Sequence, residues 1–393
     1  MKKKMLIVHH CGNIGGAGNS LLLFLSCVDT TEYEIVVYTK SSDSKKMYEL
    51  LQQNSNITVK ESGEYPAIFN FYSGNEKILI NPWNFINHKN IKKTEKYMKE
   101  IVELEKPDVL VLNTMTLAYL GKTFKDYPFK KVIFDRETFG KEIIPVRNCI
   151  IQRDLREYFD KVVYLSKYDM NCVKGNNGVI ITDKYEQVEV KEDVSFSVDT
   201  KNILFVGGNS LIKGISTAIQ TMCYLPKDYV LHIIGCKELI NSEMKKNWRT
   251  LNPFSNFYHL KKLDNFIEAN NLKDRIKFYG AVTNPESYMR AADILIVPTI
   301  KQHQSRPFIE AGFLKTPVII SNMPCMQDFI HNEENCLSFK IDDEKELSNC
   351  ILKLEDNNLR EKLINNQYEL VEKNFNLNDY YNEIKQMLNS IEK

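Results

Sequence analysis

The groups able to do chemistry in this chain follow short apolar runs. In VGGNSLIKG, residues 206–214, Gly207, Gly208 and Lys213 come directly after the run 202–206. Glycines let backbone N–H groups approach an anion, a helix start adds partial positive charge, and a lysine adds a full one. A Walker A loop needs Gly-Lys-Ser/Thr, whereas this turn reads Ile212-Lys213-Gly214, so it is not a P-loop. In KQHQSRPFIEAGFLKTPVIIS, residues 301–321, Arg306 and Glu310 stand between the apolar runs 294–297 and 317–320. As a purely structural residue at a helix start, Glu310 would contribute about 0.3–1 kcal/mol through the macrodipole. Against that stands its expected place outside the carboxyl ends of parallel strands, where open α/β sheets bind ligands. A phosphate-binding turn and a hydroxyl-binding carboxylate on one sheet edge describe a nucleotide-sugar site.

The first glycine turn, HHCGNIGGAGNS, carries Gly12, Gly15, Gly16 and Gly18, which do not fit G-x-G-x-x-G. The next strand ends Val37-Tyr38-Thr39-Lys40 without a ribose-binding acid, so NAD is not expected. His9 and His10 precede this turn; one is expected in the core and one within reach of a ligand, and neither reads as catalytic. Phe134-Asp135-Arg136-Glu137 follows another strand, and Arg136 with Glu137 reads either as a ligand-facing pair or as an ion pair within the domain. The histidines lack H-E-x-x-H spacing and no Asp-x-Asp occurs, so no metal site is expected.

These groups need strands and helices to hold them, and the chain supplies an alternating α/β pattern. Strands are expected at 4–9, 34–38, 108–112, 131–134 and 161–165, then at 202–206, 229–234, 276–279, 293–297 and 317–321. A chain of 393 residues exceeds one core. Two doubly wound halves result: 1–185, a polar linker at 186–200, and 201–375. Residues 376–393 repeat apolar positions at helical spacing and form a helix expected to pack back toward the first half. Residues 237–263 break the rhythm and read as an insertion. Its basic, aromatic stretch 244–263 is either a solvated surface or a lip for an anionic membrane or lipid-phosphate acceptor.

Fifty-two basic against 51 acidic side chains leave a net charge of +1, without the excess a general nucleic-acid binder needs. Nine cysteines with no CxxC pair read as reduced, mostly buried thiols of a cytoplasmic protein. The basic start MKKKMLIVHH has too short an apolar run for a secretory signal, and no window reaches the ~20 apolar residues of a membrane span. Abundant Lys, Asn and Ile suit an AT-rich bacterial genome.

The runs VGG…KG, RIKFYG, AADILIVPT and SRPFIEAGFLKTPVIISN resemble the retaining glycosyltransferase family four, of GT-B fold. NIGGAGNSLLLFL, KPDVLVLNT and DKVVYLSKYD extend the resemblance over nearly the whole chain. It implies an α/β architecture of two Rossmann-like parallel-sheet domains facing a central cleft, with the donor in the second. It implies a bacterial polysaccharide or glycoconjugate enzyme transferring a hexose from a UDP- or GDP-sugar to a glycan or lipid-linked acceptor. No metal or other cofactor is implied, and the enzyme is expected in the cytoplasm or at the inner face of the membrane.

Carried over by position, Lys213 is similar to the lysine that holds the donor diphosphate. Glu310 is similar to the second acid of the E-x7-E signature, which binds the ribose hydroxyls. Phe308 and Ile309 would line the loop whose backbone faces the diphosphate, with Gly207 and Gly208 in the opposite turn. Gly280, Ala281 and Val282 would surround the base. Gly15 and Gly16 would let the first loop reach the donor phosphates, and His10, Arg136 and Glu137 would lie on the acceptor side. Two positions depart from the pattern: Gln302 stands where the first acid is expected, and Gly208 where an arginine is. Arg306 is the candidate replacement cation. An amide can bond a sugar hydroxyl but brings no charge. The alternative reading is therefore a nucleotide-sugar-binding protein with weak or no catalysis.

Overall fold

The computed structural model describes residues 2–74, 88–139, 146–175, 177–185, 190, 194–240, 256–302 and 304–392. The chain forms two compact units: residues 1–184 with 377–393, and residues 185–376. The C-terminal helix, Leu377–Glu392, belongs to the first unit. It buries Tyr380, Ile384, Met387, Leu388 and Ile391 in one core with Leu21 and Phe24. Their spacing is the apolar stripe of a helix with one covered face.

The first unit is built on seven strands: β1 (Lys3–His9), β2 (Tyr33–Thr39), β3 (Ile57–Glu61), β4 (Val109–Leu112), β5 (Lys130–Asp135), β6 (Lys161–Tyr164) and β7 (Gly178–Ile180). They pair in the order β3-β2-β1-β4-β5-β6-β7. The second unit contains β8 (Lys201–Val206), β9 (Tyr229–Ile234), β10 (Ile276–Phe278), β11 (Ile294–Val297), β12 (Val318–Ser321) and β13 (Leu337–Phe339). Their order is β10-β9-β8-β11-β12-β13. Central pairings such as β1 with β4 and β8 with β11 are parallel. Strands β4, β11 and β12 are buried at every position. Parallel strands covered on both faces need such uninterrupted apolar runs. Each unit is thus a doubly wound, Rossmann-like sheet.

The order reverses between β1 and β4 in the first unit, and between β8 and β11 in the second. At such a switch point the connections leave in opposite directions and open a crevice at the carboxyl edge. The glycine turns after β1 and β8 and the loops after β4 and β11 all start there.

Several expectations change. Strands β3, β7 and β13 were not expected, and the segment 237–263 is not a uniform insertion. Residues 241–255, including the basic stretch 244–255, lie outside the described residues. Residues 256–263 open the helix Asn256–Ala269, which buries Leu260, Leu263 and Ile267 against the second core. Of the linker 186–200, residues 186–189 and 191–193 lie outside the described residues. None of the nine cysteines forms a disulfide; Cys149 and Cys223 are exposed, and four rather than most are buried. Among the described residues no helix is long and apolar enough to cross a membrane.

Candidate functional site

The switch point of the second unit brings the glycine turn after β8 against the loop after β11. Gly214 adopts φ +85°, and a Cβ there would lie 1.7 Å from the Pro298 carbonyl oxygen. The Ile300 N–H donates to the Ile212 carbonyl at 3.0 Å. Lys213, between these contacts, lines a cavity of about 30 Å³ with Thr299, Ser305 and Pro307. Sequence-distant segments carrying the expected cation and the expected helix start therefore meet at one place.

The turn itself corrects one expectation. The N–H groups of Gly207 and Gly208 both donate to the Ile234 carbonyl, at 3.2 and 2.8 Å. They tie β8 to the end of β9 and are not turned toward an anion. Lys213 N–H and Gly214 N–H likewise close the turn on Ser210 and Leu211 carbonyls. What this turn offers a ligand is the exposed Lys213 side chain.

The helix Arg306–Phe313 begins where Ser305 leaves extended backbone and Pro307 fits the first turn. Glu310 is therefore one turn inside the helix and not at its start, beyond the reach of most of the macrodipole effect. Phe308 and Ile309 point into the core, and the Phe308 N–H donates to the Ser305 carbonyl. The Phe308 N–H is thereby used within the turn. The Ser305 hydroxyl is buried at the helix start without a hydrogen-bond partner among the described residues.

Glu310 is 7 % exposed, and its Oε1 accepts from Arg306 Nε at 2.7 Å. Burial raises its carboxyl above the usual range, while Arg306 and Lys213 oppose that and Glu286 adds to it. Arg306 thus has its Nε bound to Glu310, while its side chain stays 44 % exposed. Gln302 is anchored too: its Oε1 accepts the Cys325 N–H at 3.1 Å. Because that partner is a donor, the amide orientation is fixed, and the NH2 group remains for a ligand.

Gly280 closes the end of β10 with φ +73°, its N–H donating to the Cys236 carbonyl and its carbonyl accepting from Gly235. Ala281 is exposed and Val282 half-buried beyond it. Sheet order places this turn past β9, two strands from the Lys213 turn.

The first unit has its own polar cluster at the β1–β4 switch point. Asn113, just after β4, donates to His9 Nδ1 at 3.1 Å and to the Ala17 carbonyl at 2.9 Å. His9 and His10 are held neutral by burial, with pKa values lowered to about 3 and about 4. Arg136 does not pair with Glu137: its Nη1 donates to Asp183 at 2.6 Å, and its guanidinium lies 4.7 Å from the Phe134 ring centroid. Asp183 also accepts the Ser20 hydroxyl. Glu137 accepts the Gly74 N–H at 3.1 Å and is raised by burial. The intradomain ion pair is therefore present, with a partner the adjacent residues did not reveal. Gly15 and Gly16 have open space around them, whereas a Cβ on Gly12 would meet the Ser44 carbonyl oxygen at 1.9 Å. Gly12, not the Gly15-Gly16 pair, is the sterically required glycine of this loop.

Tyr185 had no sequence signal, since it sits at the edge of a polar stretch. Its ring stacks on Phe313 at 5.4 Å and lies under the Arg306 guanidinium at 5.8 Å. Among the described residues no cluster of three or more His, Cys, Asp or Glu side chains is placed to hold a metal.

Residues 187–370 match the model of the family described as glycosyl transferases group 1. Over 195 residues the chain is 26 % identical to the Escherichia coli O-antigen biosynthesis glycosyltransferase WclY, covering 47 % of this chain and 49 % of that protein. The chain thus spans about half the length of the curated relatives it matches. Among solved structures, Anabaena HepE in complex with UDP and glucose superposes with a TM-score of 0.73 at 15 % identity, covering 99 % of this chain and 100 % of that one. Sucrose-phosphate synthase from Thermosynechococcus elongatus also gives 0.73 at 15 % identity, over 99 % and 98 % of the two chains. At these identities the structures establish the GT-B fold.

Proposed function

We propose that this chain is a retaining glycosyltransferase that moves a hexose from a UDP- or GDP-sugar to a glycan or lipid-linked acceptor in bacterial surface polysaccharide synthesis. The observation that carries the reading is the meeting of Lys213 with the Thr299–Ser305 loop and the Glu310 helix at the β8–β11 switch point. The match of residues 187–370 to the group 1 glycosyl transferases supports it. So does the O-antigen synthesis named for the E. coli relative.

In this reading Lys213 neutralises the donor diphosphate, and Glu310 accepts the ribose hydroxyls. The sugar C1–O bond to the diphosphate breaks as the acceptor oxygen bonds to C1 on the same face. The acceptor proton passes to the departing diphosphate oxygen, whose growing charge Lys213 stabilises. The first unit supplies the acceptor side, and the reaction belongs in the cytoplasm or at the inner membrane surface, where a nucleotide-sugar donor meets a lipid-linked acceptor.

Nucleotide release from a panel of UDP- and GDP-sugars, with and without lipid-linked acceptors, tests the activity. Turnover on one donor is the expected result. Tight nucleotide binding with no turnover on any pair would favour a binding protein without catalysis, the reading that Gln302 in place of an acid supports.

Gln302→Glu separates structure from recognition at this position. A carboxylate oxygen can still accept the Cys325 N–H, so the melting temperature should stay within about 2 °C of wild type. The amide donor is lost, so nucleotide-release rates should fall or shift between donor sugars. Unchanged rates on every donor would remove Gln302 from the site.

A further inference from the structure

We propose that Tyr185 is a positioning residue that fixes the Glu310 carboxylate in the orientation a ligand diol requires, which rests on the reading of Glu310 as the ribose ligand. Tyr185 is the first residue of the second unit and is 5 % exposed. Its ring touches the helix at both ends, against Phe313 at one and Arg306 at the other. Glu310 lies between these two contacts and is itself bound by Arg306. Tyr185 therefore braces both the Glu310 helix and the arginine that orients the carboxylate.

The hydroxyl carries the argument further. It is buried without a hydrogen-bond partner among the described residues. Burial raises its pKa, and the neighbouring Glu310 and Glu286 carboxylates raise it again, Glu286 also as a weak acceptor beyond normal hydrogen-bond distance, with Arg306 opposing. It stays protonated at any physiological pH, so it is a permanent donor beside two carboxylates. Buried donors of this kind rarely go unused. A small turn of Glu310 toward a ligand can bring its carboxylate to the phenol, which then holds the charged form.

The charged and titratable groups facing Glu310 are Arg306 on its own helix, Glu286 on the helix Pro285–Ala291, Lys213 in the glycine turn, and Tyr185. A diol donates its hydrogens to the ionised carboxylate. Burial has already raised Glu310, so nucleotide affinity should be lost on the acid side as pH falls through that raised pKa. Removing the phenol donor raises it further and moves the acid limb upward. Removing the Glu286 charge lowers it and moves the limb down. A packing role alone for Tyr185 would leave the Tyr185→Phe limb where it is in wild type, while the Glu286→Gln limb moves in either case and reports that Glu310 is the titrating group.

The test is calorimetric titration of UDP and GDP into the full chain across pH, for wild type, Tyr185→Phe, Glu286→Gln and Glu310→Ala. Tyr185→Phe keeps the ring stack; it should bind about tenfold more weakly, as expected for one hydrogen bond to a charged group. Its acid limb should move to higher pH, and that of Glu286→Gln to lower pH. If Glu310→Ala loses binding while Tyr185→Phe keeps wild-type affinity and limb, the positioning role is overturned and the ribose reading stands. If Glu310→Ala binds as wild type, or wild type binds neither nucleotide, the ribose reading fails and this inference with it. A Tyr185→Phe protein that fails to fold would show that the hydroxyl serves the fold and not the Glu310 carboxylate, and would overturn the proposal.

Discussion

Gly214→Ala is expected to destabilise the second unit by about 3 kcal/mol and to remove nucleotide binding. An alanine at φ +85° costs about 1–2 kcal/mol from its conformation alone. The larger part comes from the Cβ, which would sit 1.7 Å from the Pro298 carbonyl oxygen. No rotamer relieves that clash, because Cβ position is fixed by the backbone. The glycine turn must separate from the loop after β11, breaking the Ile300 to Ile212 hydrogen bond and displacing Lys213. For a unit of this size the melting transition should fall by roughly 6–12 °C. Gly16→Ala is the control, since open space surrounds that position. A Gly214→Ala protein that melts within 2 °C of wild type would show that the two loops are not locked together as described.

Glu310→Ala should lower affinity for the cognate nucleotide by about 100-fold or more. A diol bound by a carboxylate makes hydrogen bonds to a charged acceptor, each contributing about 1.5–3 kcal/mol. The fold should survive, because Arg306 is 44 % exposed at its side chain and can turn to water. Truncation leaves a small void in a helix otherwise anchored by Phe308 and Ala311. Glu310→Gln distinguishes charge from shape: it retains an acceptor oxygen, so it should lose less than alanine and lose the acid limb altogether. Equal affinities for wild type and Glu310→Ala would remove the carboxylate from the site.

The strands that frame both sites were legible because burial on two faces forces continuous apolar runs such as VLVL and ILIV. The missed strands are short or half-exposed. β3 has only exposed and half-buried positions in ITVKE, and β7 and β13 have three residues each. Lys213 and Glu310 could be singled out because charged groups just beyond buried strands are conspicuous. Their partners could not. Arg306 pairs with Glu310 through i,i+4 helical spacing, which becomes visible only once the helix start is fixed at Ser305. Arg136 and Glu137 look like a pair in sequence, yet neighbours beyond a strand end point apart, and each binds a different segment. Backbone donors were the least legible feature. Glycines at 207 and 208 suggested an anion loop, but their N–H groups are consumed by Ile234 across the sheet. Tyr185 was invisible for a similar reason: its function depends on a helix far along the chain.

In the proposed function the β8–β11 switch point of the second unit binds a nucleotide diphosphate through Lys213. Calorimetric titration of UDP and GDP into wild type and Lys213→Ala tests it most directly. Wild type should bind one nucleotide saturably, and Lys213→Ala should bind it at least tenfold more weakly with an unchanged melting temperature. Equal affinity in the two proteins, or no binding of either nucleotide to wild type, would contradict it.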